Sequence, residues 1–352
     1  MSRWRAFLRG ETRIDFVGRR RTWMQLSAAV LLISAVALIV RDLNLGIEFR
    51  GGLSLTAANP AAASVVDLRA VTNQAGVTDV VIQLVDDGAA VRLQTPALDE
   101  ETQADLISGV AQVTGTPADQ ISLDAVGPTF GALILRQSLI ALAVFLGAVM
   151  LFMTWRLEWK MAATGIVALL HDLVITAGIY AITGFEVTPA TVVAALTILG
   201  YSLYDTVVVF DKIEEQIEAQ GDRQTVTDIV NRSANLVLSR SILTALTSLL
   251  PVGSILFVGA FIFGASSLRD FALALFVGIA VGTYSSLFVA TPLLATWKER
   301  EPEWISRRHR LEAKASERGR RPAAATTVTQ KPPTTPRSGR PPTPRPPKKR
   351  KK

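Results

Sequence analysis

A tyrosine and an aspartate, Tyr204 and Asp205, stand side by side within the apolar stretch 189–210. A stretch of about 20 apolar residues crosses the hydrocarbon core of a bilayer as a helix. A charged side chain at that depth costs at least about 2.5 kcal/mol on insertion scales, so it normally faces a protein interior or a water path. Such groups serve ions, protons or substrates. The sequence therefore predicts an ionisable functional group at Asp205.

Polar residues recur on one face of the same predicted helix. Tyr201 precedes Asp205 by four residues, Thr197 lies one further turn back, and Ser202 lies alongside. Residues four apart share a helical face. A cluster that only joins helices by hydrogen bonds would explain Ser, Thr and Tyr, but it is a poor explanation for an aspartate. We predict that this face carries a functional site.

His171 and Asp172 form a second candidate near the middle of the apolar stretch 161–183. They add another acid and a group that titrates near neutral pH. Adjacent residues of a helix point in different directions, so one of the two can line a path while the other does not. A proton-coupling role and a structural hydrogen-bonding role both remain open for this pair.

Arg240 is a candidate electrostatic partner for Asp205. It opens the apolar stretch 241–263, and Thr244 and Thr247 continue its face at helical spacing. The stretch with Asp205 runs toward the side of the termini and the next one leaves from it, so an ion pair is geometrically feasible. The alternative is an arginine whose charged end reaches back to the membrane surface.

Glycines at two places indicate close packing rather than chemistry. Gly278 and Gly282 form a GxxxG pattern in the last apolar stretch, which lets helices approach closely. Gly51 and Gly52 indicate a tight turn or a strand kink where side chains would obstruct.

Composition identifies the bilayer as the solvent of this chain. Of its 352 residues, 49% are hydrophobic and only 19% are charged, which is atypical of a soluble domain. Cysteine is absent, and this excludes disulfides, thiolate metal sites and thiol nucleophiles. We predict no cofactor, no metal site and no enzymatic activity.

Six apolar stretches predict an α-helical membrane protein with six spans. An even number places both termini on one side. Lys and Arg crowd the first 21 residues, the turn 156–160, the loop 212–240 and the tail, and this predicts that the termini are cytoplasmic. The stretches are 24–40, 133–154, 161–183, 189–210, 241–263 and 271–296.

The segment between the first two spans is long and acidic, with twelve acids against five arginines in 41–136. Its hydrophobic pattern predicts a small α+β unit of βαββαβ order, ferredoxin-like, on the external side. Two of its strands flank an Asp86-Asp87-Gly88 hairpin. The predicted strands are 47–57, 79–85, 90–93 and 120–126, and the predicted helices are 61–74 and 100–113.

The tail has a different composition, rich in Pro, Thr, Lys and Arg. From residue 307 onward it lacks the apolar residues needed for a core, so we predict disorder. Its charge predicts attraction to anionic lipid or to the ribosome. The predicted division of the chain is 1–23 basic cytoplasmic N-terminus, 24–40 first span, 41–132 external domain, 133–297 five further spans, and 298–352 basic, Pro-rich, disordered cytoplasmic tail.

These motifs together resemble the SecF family of the bacterial SecD–SecF protein-export complexes, within the resistance-nodulation-division superfamily. The resemblance covers residues 14–297. Tyr204 stands where the family commonly has Asn, and Glu214 stands where a basic residue is usual. The long basic tail resembles an actinobacterial elaboration. The strings that carry the resemblance are Ile47-Glu48-Phe49-Arg50-Gly51-Gly52, His171-Asp172, the run from Gly200 to Lys212, Leu238-Ser239-Arg240-Ser241, and Gly282-Thr283-Tyr284-Ser285-Ser286.

The resemblance implies a complex with SecD in the bacterial cytoplasmic membrane, next to the SecYEG channel and YajC. It further implies that the complex uses the proton gradient to promote late translocation of unfolded secretory proteins on the external face. In that interpretation, the proton-coupling residues are Asp205, Arg240, Asp172 and His171, supported by a polar face of Tyr201, Ser202, Tyr204, Thr244 and Thr247.

Two other classes of function were compared with this one. A lipid or small-molecule exporter of the same superfamily would use similar membrane acids, but such exporters usually have two fused halves and larger external domains. An intramembrane aspartyl protease would share the Tyr204-Asp205 pair and would need a second carboxylate nearby. The chain contains no Gly-x-Gly-Asp sequence.

Overall fold

The computed structural model describes residues 12–85, 88–220, 223–260 and 266–320. In chain order, the helices and strands are α1 (Arg20–Arg41), α2 (Ile47–Arg50), β1 (Gly52–Ala58), α3 (Val65–Gln74), β2 (Val81–Val85), β3 (Ala90–Thr95), α4 (Glu100–Thr114), β4 (Ser122–Val126), α5 (Pro128–Arg156), α6 (Trp159–Thr183), α7 (Pro189–Gln220), α8 (Val226–Ser254), α9 (Ser266–Ser285), α10 (Thr291–Lys298) and α11 (Pro302–Arg320).

Within the described ranges, six helical segments are long and apolar enough to cross a membrane, as the sequence predicts. They are α1, α5, α6, α7, α8, and α9 joined to α10 through the π-helical turn Ser286–Ala290. The α/β unit lies between α1 and α5. We call the side of the membrane that carries it the domain side, and the opposite side the termini side.

Two helices extend well beyond the apolar stretches that predict them. α7 continues past residue 210 to Gln220, and α8 begins at Val226 rather than at residue 241. The added turns are amphipathic and pack against each other, and they bury Ile213 of α7 and Val230 of α8. Hydropathy detects only the part of a helix that must be apolar on all sides, so these extensions escape it.

The spans differ in how deeply they are buried within the chain. About half of the apolar window of α6 and of the last span is buried, at 56% and 50%, against 17% for α1 and 11% for α5. α6 and α9 are therefore central. The open faces of the outer helices are available to lipid or to another protein.

The α/β unit contains a four-stranded antiparallel sheet in the order β2-β3-β1-β4. α3 and α4 cover one face, where Leu55, Leu93, Leu68 and Leu106 are completely buried. The other face carries the polar residues Ser54, Thr56, Arg92 and Gln94, which alternate with this core along β1 and β3. We call it the polar face of the sheet, and it is turned toward the membrane spans.

The predicted strand 47–57 is wrong over its first four residues. Ile47–Arg50 form the helical turn α2, and Gly51 and Gly52 separate it from β1 with φ angles of +74° and +129°. A Cβ on Gly52 would lie 2.1 Å from the carbonyl oxygen of Thr95. The glycine pair thus permits a sharp change of direction that alternation of side chains does not reveal.

The predicted helix 61–74 begins only at Val65. Ser64 and Asp67 form a capping box, in which the Ser64 hydroxyl accepts a hydrogen bond from the Asp67 amide. This pattern marks a helix start. The other predicted strands and the second helix of the unit agree with the structure to within a few residues. Asp86 and Asp87 of the predicted hairpin lie outside the described residues.

The prediction of a disordered tail is wrong for residues 302–320. They belong to α11, which Trp304 anchors because its indole is 5% exposed. The Arg307 guanidinium lies over the Trp304 ring at 4.3 Å and contacts the Glu303 carboxylate at 3.0 Å. An anchoring aromatic and pairs at i, i+4 spacing stabilise a helix that composition alone disfavours. Residues 321–352 of the predicted tail lie outside the described residues.

Charged side chains join the ends of several spans on the termini side. Glu299 accepts hydrogen bonds from Arg20 Nη1 at 2.8 Å and from Thr227 Oγ1 at 2.5 Å. Burial alone would raise the pKa of Glu299, but the bonds from Thr227 and Arg20 and the charge of Arg20 outweigh it and lower that pKa. Next to it, the buried Lys298 donates to Glu158 at 2.5 Å. These pairs connect the helix ends of α1, α6, α8 and α10.

Candidate functional site

Close packing of α9 against α7 positions the polar site. A Cβ on Gly278 would lie 2.4 Å from Ile198 Cδ1, and a Cβ on Gly282 would lie 2.9 Å from Ser202 Cβ. The GxxxG face of α9 therefore lies directly on α7. The same Gly282 position is 3.5 Å from Oδ2 of Asp172, so the absence of a side chain there makes room for a carboxylate of α6.

Asp172 lies fully buried where α6, α7 and α9 meet. Its Oδ2 accepts hydrogen bonds from Ser202 Oγ at 2.6 Å and from Ser285 Oγ at 2.9 Å. Its Oδ1 is 3.0 Å from Nδ1 of His171. Two other helices, α7 and α9, thus contribute one hydroxyl each to this carboxyl of α6, in addition to the neighbouring His171.

His171 extends this cluster toward α1. Its ring stacks against Tyr284 with centroids 6.4 Å apart, and the Tyr284 hydroxyl lies 3.2 Å from Ser27 Oγ. The His171 Nε2 is buried and has no hydrogen-bond partner within the described ranges. The structure thus places an imidazole beside the buried carboxyl of Asp172 and connects this pair to α1 through Tyr284.

Asp205 is 8% exposed and lies between α7 and α8. Its Oδ1 accepts a hydrogen bond from Ser241 Oγ at 2.6 Å. Its Oδ2 is buried and lacks a hydrogen-bond partner in the described part of the chain. An ionised carboxylate with an unsatisfied oxygen is costly in an apolar environment, so this oxygen is a natural acceptor for a proton.

Arg240 contacts Tyr204 rather than Asp205. Its Nη2 donates to the Tyr204 hydroxyl at 2.5 Å, and its guanidinium lies 5.6 Å from the centre of that ring. No ion pair within 4.0 Å joins Arg240 to Asp205 among the residues that the structure describes. Tyr204 is 54% exposed and Arg240 is also exposed, so both lie on the open face of α7 and α8. Neighbouring positions of one helix point in different directions, which separates the two pairs.

The other predicted members of the polar face take up different positions. Ser202 binds Asp172, and Tyr201 is half-buried beside Ser248. Thr244 and Thr247 donate to carbonyl oxygens of their own helix at 2.8 and 2.9 Å, so neither hydroxyl reaches a carboxylate.

Hydroxyl groups that the sequence did not single out for this site complete it. Ser241 and Ser285 are the donors described above, and Thr206 Oγ1 lies 2.8 Å from Ser286 Oγ. Ser285 ends α9 and Ser286 begins the π-helical turn, a type of distortion common at functional sites. Ser and Thr at helical spacing near a membrane aspartate are the signal that could have identified these donors.

Asp172 and Asp205 have separate partners. No hydrogen bond joins the two carboxyl groups in the described part of the chain, whereas an aspartyl protease needs two carboxyl groups that share a proton. The arrangement provides two separate buried carboxyl groups, and α7 takes part in both: Ser202 donates to Asp172, and Asp205 accepts from Ser241.

Six spans, an α/β unit after the first, and two buried aspartates at membrane depth define a multi-pass membrane protein with an ionisable core. The family described as "Protein export membrane protein SecD/SecF, C-terminal" matches residues 107–300. The chain is 42% identical to the protein translocase subunit SecF of Streptomyces coelicolor, over 88% of this chain and 83% of the relative. It is 40% identical to the protein translocase subunit SecF of Mycobacterium tuberculosis CDC 1551, over 83% of this chain and 68% of the relative. The chain belongs to the SecF family.

A solved structure supports the same assignment. The crystal structure of SecDF from Thermus thermophilus superposes with a TM-score of 0.75 at 34% identity, over 83% of this chain and 39% of the SecDF chain. SecDF in its super-membrane-facing form gives a TM-score of 0.59 at the same identity. The chain thus corresponds to well under half of the SecDF polypeptide.

Proposed function

We propose that this SecF-family subunit of the protein-export machinery couples the proton gradient to late steps of translocation, together with SecD. The observation that carries the proposal is Asp205, a buried carboxyl at membrane depth with one oxygen bonded to Ser241 and the other unpartnered among the described residues. One elementary charge that crosses 100 mV gains about 2.3 kcal/mol. Protons that move through such a site can therefore drive a conformational change.

We infer that SecD covers the open face of α7 and α8. An exposed arginine at membrane depth is costly in lipid, and Arg240 and Tyr204 lie on that face. The SecDF relative carries a SecF-like part and a further part in one chain, which supports a partner of this kind. SecYEG, YajC and unfolded secretory chains on the domain side complete the proposed assembly.

We infer that the α/β unit is a ferredoxin-like domain on the external side of the bacterial cytoplasmic membrane. Its βαββαβ order and the strand order β2-β3-β1-β4 support the fold. The basic loops and the arginine-rich start support cytoplasmic termini. In the proposed division, residues 41–132 are external and residues 298–352 form a cytoplasmic tail, of which 302–320 are helical.

Orientation is tested with single introduced cysteines, since the natural chain has none. An impermeant thiol reagent applied to intact cells is expected to label position 70, which is exposed on α3, but not position 220 or 320. Permeabilised cells provide the control, in which all three positions should react. Labelling of 220 and 320 but not 70 in intact cells would reverse the proposed orientation.

The export role is tested in inverted membrane vesicles that lack the chain. We expect translocation of a secretory protein to start normally with ATP but to lose its stimulation by the proton gradient. Adding back the full chain together with SecD should restore that stimulation. Full gradient stimulation in vesicles without the chain would refute the proposed function.

A further inference from the structure

A water-accessible cavity of about 640 Å³ separates the polar face of the sheet from the domain-side ends of the helices. Its walls include Ser54 and Thr56 of the sheet and the loop 184–188 between α6 and α7. The charged side chains that line it are Glu48 of α2, Arg92 of β3, Asp124 of β4, Glu186 of the α6–α7 loop, and Asp270 of α9. Four acids thus face one arginine across the contact between the α/β unit and the spans.

Glu186 makes side-chain contacts across this cavity. It is 6% exposed and accepts hydrogen bonds from Gln94 Nε2 at 2.6 Å and from Arg92 Nη1 at 3.3 Å. Both donors belong to β3, a central strand of the sheet. A carboxylate from the membrane-spanning part therefore binds directly to the sheet of the α/β unit.

The backbone beside Glu186 joins the same two parts. The Val187 amide donates to the Asn44 carbonyl at 2.8 Å, and the Gly46 amide donates to the Val187 carbonyl at 3.0 Å. These bonds fix the loop 184–188 against the segment 42–46, which leads from α1 into the α/β unit. The side-chain contacts of Glu186 with Arg92 and Gln94 lie next to this fixed point. The orientation of the sheet relative to the spans therefore depends on the Glu186 contacts as well as on the backbone bonds.

Glu48 lies close to Glu186. Oε2 of Glu48 and Oε1 of Glu186 are 2.3 and 2.7 Å from the same point, the position of a Cβ on Gly46, so they are at most about 5 Å apart. Glu48 Oε2 is buried and has no hydrogen-bond partner in the described ranges. Two ionised carboxylates at this distance repel each other.

The surroundings of Glu48 favour its protonated form. Burial raises the pKa of Glu48 most strongly, and the negative charges of Glu186 and Asp124 raise it further, against a backbone hydrogen bond and the charge of Arg92. If the α/β unit moved away from the spans, Glu48 would be exposed to water and its pKa would return to the ordinary range of a glutamate. Docking therefore binds a proton more tightly, and its stability falls as the pH rises from the ordinary pKa of a glutamate through the raised one.

We propose that Glu186 is a positioning residue that docks the α/β domain onto the spans, and that Glu48 makes this docking favourable in acid and weaker when both carboxyls are ionised. This adds a proton-sensitive contact on the domain side to the proposed coupling through the buried aspartates. The proposed contact rests on the geometry of the cavity and does not require that a proton is transported. Its test measures a distance, so its failure and the failure of the export role are distinguishable.

The test uses spin labels on the full chain in lipid vesicles, at introduced cysteines that replace Val66 of α3 and Val193 of α7. Both side chains are exposed, at 76% and 58%, and the natural chain contributes no competing thiol. Pulsed electron paramagnetic resonance then gives the distribution of distances between the domain and the spans. We expect the docked distance to dominate at low pH and a second population to grow as the pH rises above the ordinary range of a glutamate. The ratio of the two should change several-fold, up to about tenfold for each unit of pKa shift.

Three substitutions assign the effect to residues. Glu48→Gln should keep the docked distance at both pH 5 and pH 8, because the amide retains the size of the carboxylic acid without its charge. Glu186→Ala should lose the docked distance at both pH values. Asp105→Asn removes an exposed acid of α4 away from the cavity and should behave as the natural chain.

Several outcomes would overturn the proposal. A natural chain whose distance distribution stays the same from pH 5 to pH 8 would exclude a pH-sensitive dock. An unchanged pH dependence in Glu48→Gln would show that another group is responsible. A docked distance that persists in Glu186→Ala would show that the backbone bonds at Val187 suffice, and that Glu186 does not position the domain.

Discussion

Asp205→Asn is expected to leave membrane insertion and association with SecD intact and to abolish the stimulation of export by the proton gradient. The amide keeps the size of the side chain and can still accept the hydrogen bond from Ser241, but it cannot take up a proton. A role in packing predicts the opposite pattern, with reduced accumulation and normal stimulation of the protein that remains. Translocation of a secretory protein into inverted vesicles, with and without a proton gradient, measures the difference.

Asp211→Asn is the matched control for this substitution. Asp211 lies on the same helix, its side chain is 55% exposed, and its carboxylate pairs with Arg156 at 3.0 Å. A surface pair of this kind contributes about 0–1 kcal/mol. The control should retain full gradient stimulation. If Asp205→Asn vesicles retain it as well, Asp205 is not the proton carrier.

The second large effect is expected at Asp172, where size and charge can be separated. Asp172→Leu removes the acceptor of the buried Ser202 hydroxyl and the partner of His171 Nδ1, and it leaves Ser285 only its 3.1 Å bond to the Gly282 carbonyl oxygen. Each unsatisfied buried group costs about 1–3 kcal/mol, so the protein should fail to accumulate in the membrane. Asp172→Asn retains a hydrogen-bonding group of the same size. It should accumulate and lose gradient stimulation. Quantitative immunoblotting of membranes and the vesicle assay measure these two properties.

A compensating variant tests the cause of the Asp172→Leu defect. Replacing Ser202 and Ser285 by Ala in the same chain removes both hydroxyls that donate to Asp172, including the Ser202 hydroxyl that would otherwise be left unpaired. Accumulation should then recover, whereas gradient stimulation should not. Normal accumulation of Asp172→Leu alone would contradict the buried hydrogen-bonded role assigned to this carboxyl.

The six spans were predictable because each needs an apolar stretch of a certain length, and hydropathy measures that property directly. The extension of α7 and α8 beyond the apolar stretches could not be predicted, because those turns are stabilised by packing of one helix on the other. The same holds for α11, where a single buried indole, Trp304, anchors a helix in a segment whose composition favours disorder.

The identity of the buried acids followed from their cost in a membrane, but their partners did not. Arg240 was a candidate partner of Asp205 on the basis of charge, yet it contacts Tyr204 instead, and the hydroxyl of the adjacent Ser241 binds Asp205. A rotation of about 100° between neighbouring helical positions decides which residue faces the carboxylate. Sequence spacing fixes that rotation along one helix, but it does not fix how two helices are turned toward each other.

The contact between the α/β domain and the spans also could not be predicted from the sequence. Glu186 and Glu48 are far apart in the chain, and neither lies in an apolar stretch that would make an acid conspicuous. They come together because the loop 184–188 pairs with the segment 42–46. Long-range pairing of two short segments has no periodic signature.

The most direct test of proton coupling at Asp205 is to measure proton movement itself. The full chain and SecD, placed in vesicles with the SecYEG channel and a translocating secretory protein, can be followed with a pH-sensitive dye on the side of the termini. We expect protons to appear on that side as translocation proceeds, Asp205→Asn to abolish this signal, and Asp211→Asn to leave it unchanged. A proton signal of equal size in Asp205→Asn would contradict proton coupling at Asp205.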